Sequence, residues 1–250
     1  MKSTKESSGN SGNFSIEEVL KGTFLFSNID DELLHSFVSE SVVKKLPKGK
    51  ILYLHEDKAD FFYLIKSGWI KLFRETLDGE EAVIDVLNDG NIFGEEAVFD
   101  DGTYSNGAQV VEDATLVMIP INLLKQQIQE EPKIAMQMLS AMSKLRKKQD
   151  NEREHLNLQN APQRIGCFLL RLCNLDNDGS ITIHLPYDKT LIASRLGMKP
   201  ETFSRALTRL RKDTGIIIKG ATVQIDNVEE LSTYSCRACS SSYPCKDLGE

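Results

Sequence analysis

Between Val42 and Ile119 short apolar runs alternate with turn signals at Pro47-Lys48-Gly49, Ser67-Gly68, Asp78-Gly79, Asp89-Gly90 and Asp101-Gly102. The runs Phe61 to Ile65, Trp69 to Phe73 and Ala82 to Leu87 fit strands between those turns. Turns at such regular spacing predict an all-β sandwich or barrel. Asp78-Gly79 suits the tip of a two-residue hairpin, where positive φ is needed. Ahead of this region Ser15 to Leu20 and Asp31 to Val38 read as short helices, with Ser15 and Glu18 in a capping-box pattern.

From Pro132 to Leu158 turn signals vanish, and Ile134, Met138, Ala141, Leu145 and Gln149 recur at three- and four-residue spacing. This predicts one long helix, roughly 38 Å at the usual rise. A small β domain cannot cover a stripe that long. The same helix of a second subunit would bury it, and an ordinary amphipathic helix on its own domain is the alternative. These five residues are the expected homodimer seam, with the charged stretch Arg146 to Glu154 as its wetter end.

Asn160-Ala161-Pro162 marks a hinge. Beyond it the pattern reads helix (Pro162 to Cys173), strand (Ile181 to Leu185), helix (Asp188 to Leu196), Gly197 turn and helix (Pro200 to Arg211). Two short strands follow, Ile216 to Lys219 and Thr222 to Asp226, joined at Gly220-Ala221. Helix, tight turn, helix and hairpin make a winged helix-turn-helix. The expected fold class is α+β. Residues 1–14 form a polar arm expected to be disordered, 15–131 a β-barrel sensor domain and 132–160 a dimerisation helix. Residues 161–231 form the winged helix-turn-helix, and 232–250 a cysteine-containing tail.

Composition sharpens this picture. The 250 residues carry a net charge of −7, yet 189–219 hold eight basic side chains against two acidic ones. A compact basic segment on an acidic body is the footprint of a phosphate-contacting module. No stretch approaches the roughly 20 apolar residues that span a bilayer, and the N-terminus lacks the apolar core of a signal peptide. A cytoplasmic protein with no membrane partner and reduced cysteines is expected.

Read as a helix, Pro200 to Lys212 puts Phe203, Ala206, Leu207 and Leu210 on one arc and a polar, basic face on the other. Such a helix can lie in a DNA major groove with its N-terminal residues at the base edges. Arg205 can donate twice to guanine, Glu201 can accept from cytosine N4, and Ser204 and Thr208 can meet a base edge or a thymine methyl. Lys189, Arg195, Lys199 and Arg209 are the expected phosphate contacts, which position without specifying. The bland alternative is a solvated helix with an intrahelical Glu201–Arg205 pair.

The segment Gly197-Met-Lys-Pro-Glu-Thr-Phe-Ser-Arg205 resembles the recognition signature of the CRP/FNR family, with Glu201, Ser204 and Arg205 as its FNR-like core. Tyr63-Leu-Ile-Lys-Ser-Gly-Trp-Ile-Lys-Leu-Phe73 is similar to the family's barrel hairpin, Phe93-Gly-Glu-Glu96 to its Phe-Gly-Glu turn, and Ala108-Gln-Val-Val-Glu112 to an FNR-side strand. The resemblance runs from about Phe24 to Leu231. It implies a cyclic-nucleotide-binding-type jelly roll, a dimerisation helix and a winged helix. It also implies a dimer on double-stranded DNA at an inverted repeat of TTGA-type half-sites, and RNA polymerase as a partner of an activator. Gly94 and Glu95 would then shape the effector-pocket loop.

In relatives that bind cyclic AMP, an Arg-Ser pair after that turn clamps the phosphate. The loop here, Phe99 to Gly107, contains no Arg or Lys and carries Asp100 and Asp101, so cyclic AMP is not the expected ligand. Cys236, Cys239 and Cys245 fall in a C-x2-C-x5-C pattern within a small, polar segment. Thiolates at such spacing can hold an iron–sulfur cluster or zinc. FNR-type sensors use cysteines for a 4Fe–4S cluster, so the tail is a candidate site, with Cys173, Cys167, Glu154 or Asp150 as fourth ligand. Loose thiols that bind nothing are the alternative. Leu158-Gln-Asn-Ala161 also resembles the haem-using, nitric-oxide-responsive Dnr branch. His35, His55, His155 and His184 are scattered without ligand spacing and read as surface or packing residues.

No Gly-rich phosphate loop, nucleophile elbow or His-Glu-x-x-His motif is present, and the barrel region holds a single histidine, His55. An enzyme is not expected. A ligand-binding signalling module whose winged helix serves protein contact is the competing class.

Overall fold

The computed structural model describes residues 15–238 apart from 24, 28, 77, 80, 174–179 and 186–188, and without the side chains of 141, 145, 148, 149 and 152. The arm and most of the cysteine tail therefore lie outside the described residues. Two helices, α1 (Ile16–Lys21) and α2 (Asp31–Glu40), lead into six antiparallel strands. These are β1 (Val42–Leu46), β2 (Ile51–Tyr53), β3 (Phe61–Glu75), β4 (Glu81–Leu87), β5 (Ile92–Phe93) and β6 (Gly107–Pro120). The capping box expected at Ser15 does not form, since its side chain makes no cap hydrogen bond. Burial of Leu20 in the core anchors α1 instead.

The strand order β1-β6-β3-β4 does not close on itself, so the expected barrel is an open jelly-roll sheet with β1 and β4 at its edges. Ser67-Gly68, expected as a turn, sits inside β3, where the register against β6 shifts. Gly68 has φ +99°, and a Cβ there would lie 2.6 Å from the Asp113 carbonyl oxygen. Backbone approach this close, combined with positive φ, leaves only glycine at the bend. Gly79 lies in the connection between β3 and β4 with φ +78°, but that connection spans residues 76–80 between the paired Glu75 and Glu81, so the hairpin is not the two-residue one expected.

Phe26, Phe37, Phe62, Leu64 and Ile119 fill the core between the sheet and the N-terminal helices. After β6, α3 (Ile121–Glu130) and α4 (Pro132–Leu158) run back along the roll. The predicted span of α4 is the observed one, and α3 escaped prediction. The seam expected on α4 needs correction. Ile134 and Met138 are 2% and 3% exposed and pack into the roll's own core. Periodicity marks a stripe that must be buried, but not by what. Met136, Leu139 and Met142 are exposed apolar residues on the first half of α4, at 65%, 60% and 52%, and Leu156 and Leu158 are exposed at its far end. Ala141, Leu145 and Gln149 belong to α4, but their side chains lie outside those described.

Asn160 ends the connection after α4 and caps α5 (Ala161–Arg171) through a reciprocal capping box with Gln163. Then come β7 (Ile181–His184), α6 (Lys189–Arg195), α7 (Pro200–Thr214), β8 (Ile217–Lys219), β9 (Thr222–Ile225) and α8 (Val228–Ser235). The sheet order β7-β9-β8 makes the wing. Helix α8, also unpredicted, closes over α5 at Gly166, where a Cβ would lie 2.0 Å from Ser235 Oγ. The two folded parts meet where α6 lies against β4. Trp69, Val86 and Leu191 form a buried cluster there, and Arg195 Nε donates to Asp85 Oδ1.

Candidate DNA interface and effector pocket

Pro200 starts α7, where a missing N–H costs nothing, and Gly215 ends it at φ +68°. The tight turn before it is a Schellman-type stop on α6. Gly197 N–H donates to the Ser194 carbonyl and Met198 N–H to the Ala193 carbonyl, at 3.0 and 2.9 Å. Phe203, Ala206, Leu207 and Leu210 bury one face of α7 in the winged-helix core. That burial turns Glu201, Ser204, Arg205 and Thr208 outward, and all four are exposed. Thr208 Oγ1 donates to the Ser204 carbonyl at 2.9 Å. A groove lined by Lys189, Ser204, Thr208, Arg211 and Gly220 runs between this face and the wing.

Among the expected phosphate contacts, Lys189 and Lys199 are exposed beside this face. Arg209 is exposed too, with its Nε 3.5 Å from Asp213 Oδ2. Arg195 is placed otherwise. Its side chain is largely buried against Asp85 of β4, so in this conformation it joins the roll to α6 rather than facing solvent.

The loop around Gly94 and Glu95 forms a second site. Gly94 adopts φ +82° and starts the short 3-10 turn Glu95–Val98. Oε2 of Glu95 is sealed from solvent without a hydrogen-bond partner. Burial, and next the neighbouring Glu96 carboxylate, push the Glu95 carboxyl up to about 7. Glu96 Oε1 accepts from Ser105 Oγ at 2.9 Å. Beside them Thr23, Leu25, Ile92, Phe99, Met138 and Met142 line an apolar pocket of about 310 Å³.

A cyclic phosphate fits these residues poorly. Tyr104, from the loop after Glu95, inserts into the roll and stacks on Tyr53 with ring centroids 3.5 Å apart. Its hydroxyl donates to the Phe61 carbonyl. Arg74 reaches the loop from β3, but its Nε donates to the Ser105 carbonyl at 2.8 Å. The pocket itself pairs apolar walls with two carboxyl groups, an environment that repels an anion.

The expected metal site falls mostly outside the described residues. Cys239 and Cys245 lie outside the described residues, and Cys236 forms the start of a short turn after α8. Among the described residues no three His, Cys, Asp or Glu side chains gather as a metal site. Cys173 is buried, donates to the Leu169 carbonyl, and burial pushes its thiol up to about 11, which disfavours a thiolate ligand. Asp150 lies 3.7 Å from Arg153, and Glu154 has a partner of its own. His35, His55 and His184 are exposed. His155 is buried at the hinge beside Cys167 and Arg171, a placement its spacing did not signal.

Comparison with known proteins agrees with both halves of this layout. Residues 43–131 match the family model of the cyclic nucleotide-binding domain, and 163–234 that of the Crp-like helix-turn-helix domain. A solved structure from Ruegeria pomeroyi, described as a candidate cyclic nucleotide binding protein, superposes with a TM-score of 0.73 at 32% identity. The match covers 88% of this chain and 97% of that one. The CRP-like cAMP-activated global transcriptional regulator of Mycobacterium tuberculosis is 23% identical over 87% of this chain and 98% of its own length. The fumarate and nitrate reduction regulatory protein of Shigella dysenteriae is 28% identical over 76% of each. With a jelly roll, a long connecting helix and a winged helix in one order and over nearly their full length, this chain belongs to the CRP/FNR family of DNA-binding transcription regulators, which are not enzymes.

Proposed function

We propose that this regulator binds an inverted repeat of TTGA-type half-sites as a homodimer. The outward face of α7 carries this reading: Glu201, Ser204, Arg205 and Thr208 are exposed together on a helix whose other face is locked in a core. Arg205 and Glu201 read a G·C pair, while Lys189, Lys199 and Arg209 hold phosphates. Met136, Leu139 and Met142 supply the apolar seam between subunits. Two-fold symmetry then sets half-sites about one helical turn apart. Selection from random DNA should return such a palindrome, and recovery of single or asymmetric half-sites would refute the reading.

The effector enters the apolar pocket beside Glu95 and contacts α4 through Met138 and Met142. An uncharged or cationic molecule suits it better than cyclic AMP, which should leave the melting temperature unchanged at millimolar concentration. RNA polymerase is the partner if the regulator activates. A 4Fe–4S cluster on Cys236, Cys239 and Cys245 is the redox version of this reading, resting on their C-x2-C-x5-C spacing. Anaerobic reconstitution followed by iron and sulfide assays tests it, with zinc, haem or no cofactor as the contrary results.

A further inference from the structure

The hinge between α4 and α5 encloses a cavity of about 80 Å³ to which His155, Gln159, Arg164, Cys167, Arg171 and Arg195 contribute. Among the described residues no carboxylate lines it. Three arginines from two helices, Arg164, Arg171 and Arg195, thus line one small space, together with Leu156, Phe168 and Leu196. Gln159, the residue that ends α4, is 6% exposed, and neither its Nε2 nor its Oε1 has a hydrogen-bond partner. Nε of Arg164 is likewise buried without one. Leaving such groups dry costs about 1–3 kcal/mol each, so water or a polar ligand is needed to satisfy them. One water needs about 10–15 Å³ on this measure, so the cavity has room for a group of several heavy atoms.

We infer that this cavity is a binding site for a small oxyanion that retains a proton, of the hydrogen phosphate or bicarbonate class. Arginine favours planar, multidentate contact with oxyanions. The Gln159 amide adds selectivity. Its Nε2 donates to an anion oxygen, and among the anion's own atoms only a protonated oxygen can donate back to its Oε1. Sulfate and nitrate carry no proton at neutral pH and offer Oε1 no donor. The anion touches α4 through Gln159, α5 through Arg164, and α6 through Arg195, whose Nε also holds Asp85 on β4. It therefore sits where the winged helix, the long helix and the roll meet.

The test uses the full chain without DNA, so its outcome is independent of the operator reading. Calorimetric titrations with hydrogen phosphate, bicarbonate, sulfate and nitrate are run at matched ionic strength. Hydrogen phosphate or bicarbonate should bind at least tenfold more tightly than sulfate and nitrate, and the two arms tell which. Gln159→Glu should weaken that binding at least tenfold. Gln159→Leu should do the same while melting no lower than wild type, because it removes two unpaired polar atoms. Lys199→Ala, on the DNA face, should bind the anion as wild type does. Equal response to all four anions, no binding at all, or undiminished binding by both Gln159 variants would overturn the site.

Discussion

Replacing Glu95 by glutamine should remove a pH-dependent strain that the effector loop builds into the roll. The carboxyl is held up to about 7 against an ordinary 4.5, first by burial and then by Glu96. Below pH 4.5 both the folded and unfolded chains keep the proton, and Glu95 makes no difference. Between 4.5 and 7 the unfolded chain releases the proton while the folded chain retains it, so stability falls as pH rises. Above 7 the penalty is constant. At about 1.36 kcal/mol per pH unit it comes to about 3 kcal/mol. Glu95→Gln has nearly the same shape and no charge, so it should match wild type at pH 4.5 and exceed it by about that amount at pH 8. With a urea slope of about 2 kcal/mol/M, the midpoints at pH 8 should differ by about 1.5 M. Emission from Trp69, which is buried on the roll, follows the transition. Midpoints that differ equally at both pH values, or not at all, would mean that Glu95 is solvated and charged in the folded protein.

Arg205→Ala should cost about 1–3 kcal/mol on the specific operator and relax one G·C preference, whereas Lys199→Ala should weaken all sequences alike and flatten the salt slope; competition gel shifts against random DNA separate the two. Gly166→Ala should destabilise the winged helix by about 1–3 kcal/mol through overpacking against Ser235, and Ser235→Ala in the same chain should restore most of the loss, as read by thermal melting. Leu139→Asp should convert the dimer to monomer in sedimentation while leaving the protomer's own unfolding free energy within about 0.5 kcal/mol of wild type, since Leu139 is exposed within the protomer. A variant that remained dimeric would place the seam elsewhere.

Local chemistry made much of this protein legible from its sequence. Pro200 and Gly215 bracket a helix whose 3.6-residue rhythm sorts Phe203 and Leu210 from Glu201 and Arg205, so the recognition face follows from periodicity alone. The full span of α4 and the wing strands follow from the same local signals. Other features depended on what approaches from far along the chain. Gly68 looks like a turn until the Asp113 carbonyl crowds it so closely that a Cβ there would lie 2.6 Å away, and Ser15 looks like a cap that the folded helix never uses. Ile134 and Met138 repeat with the α4 stripe, but only the roll's packing shows that it covers them and leaves Met136, Leu139 and Met142 bare. Arg195 reads as a DNA contact in a basic segment, and only the α6–β4 packing pairs it with Asp85. The hinge cavity draws on residues from 155 to 196 in three helices. A sequence specifies which faces must be buried, because that depends on spacing along one element. Which surface buries them, and which polar atoms are stranded in the process, depends on contacts between elements distant in the chain, and the tertiary structure alone decides it.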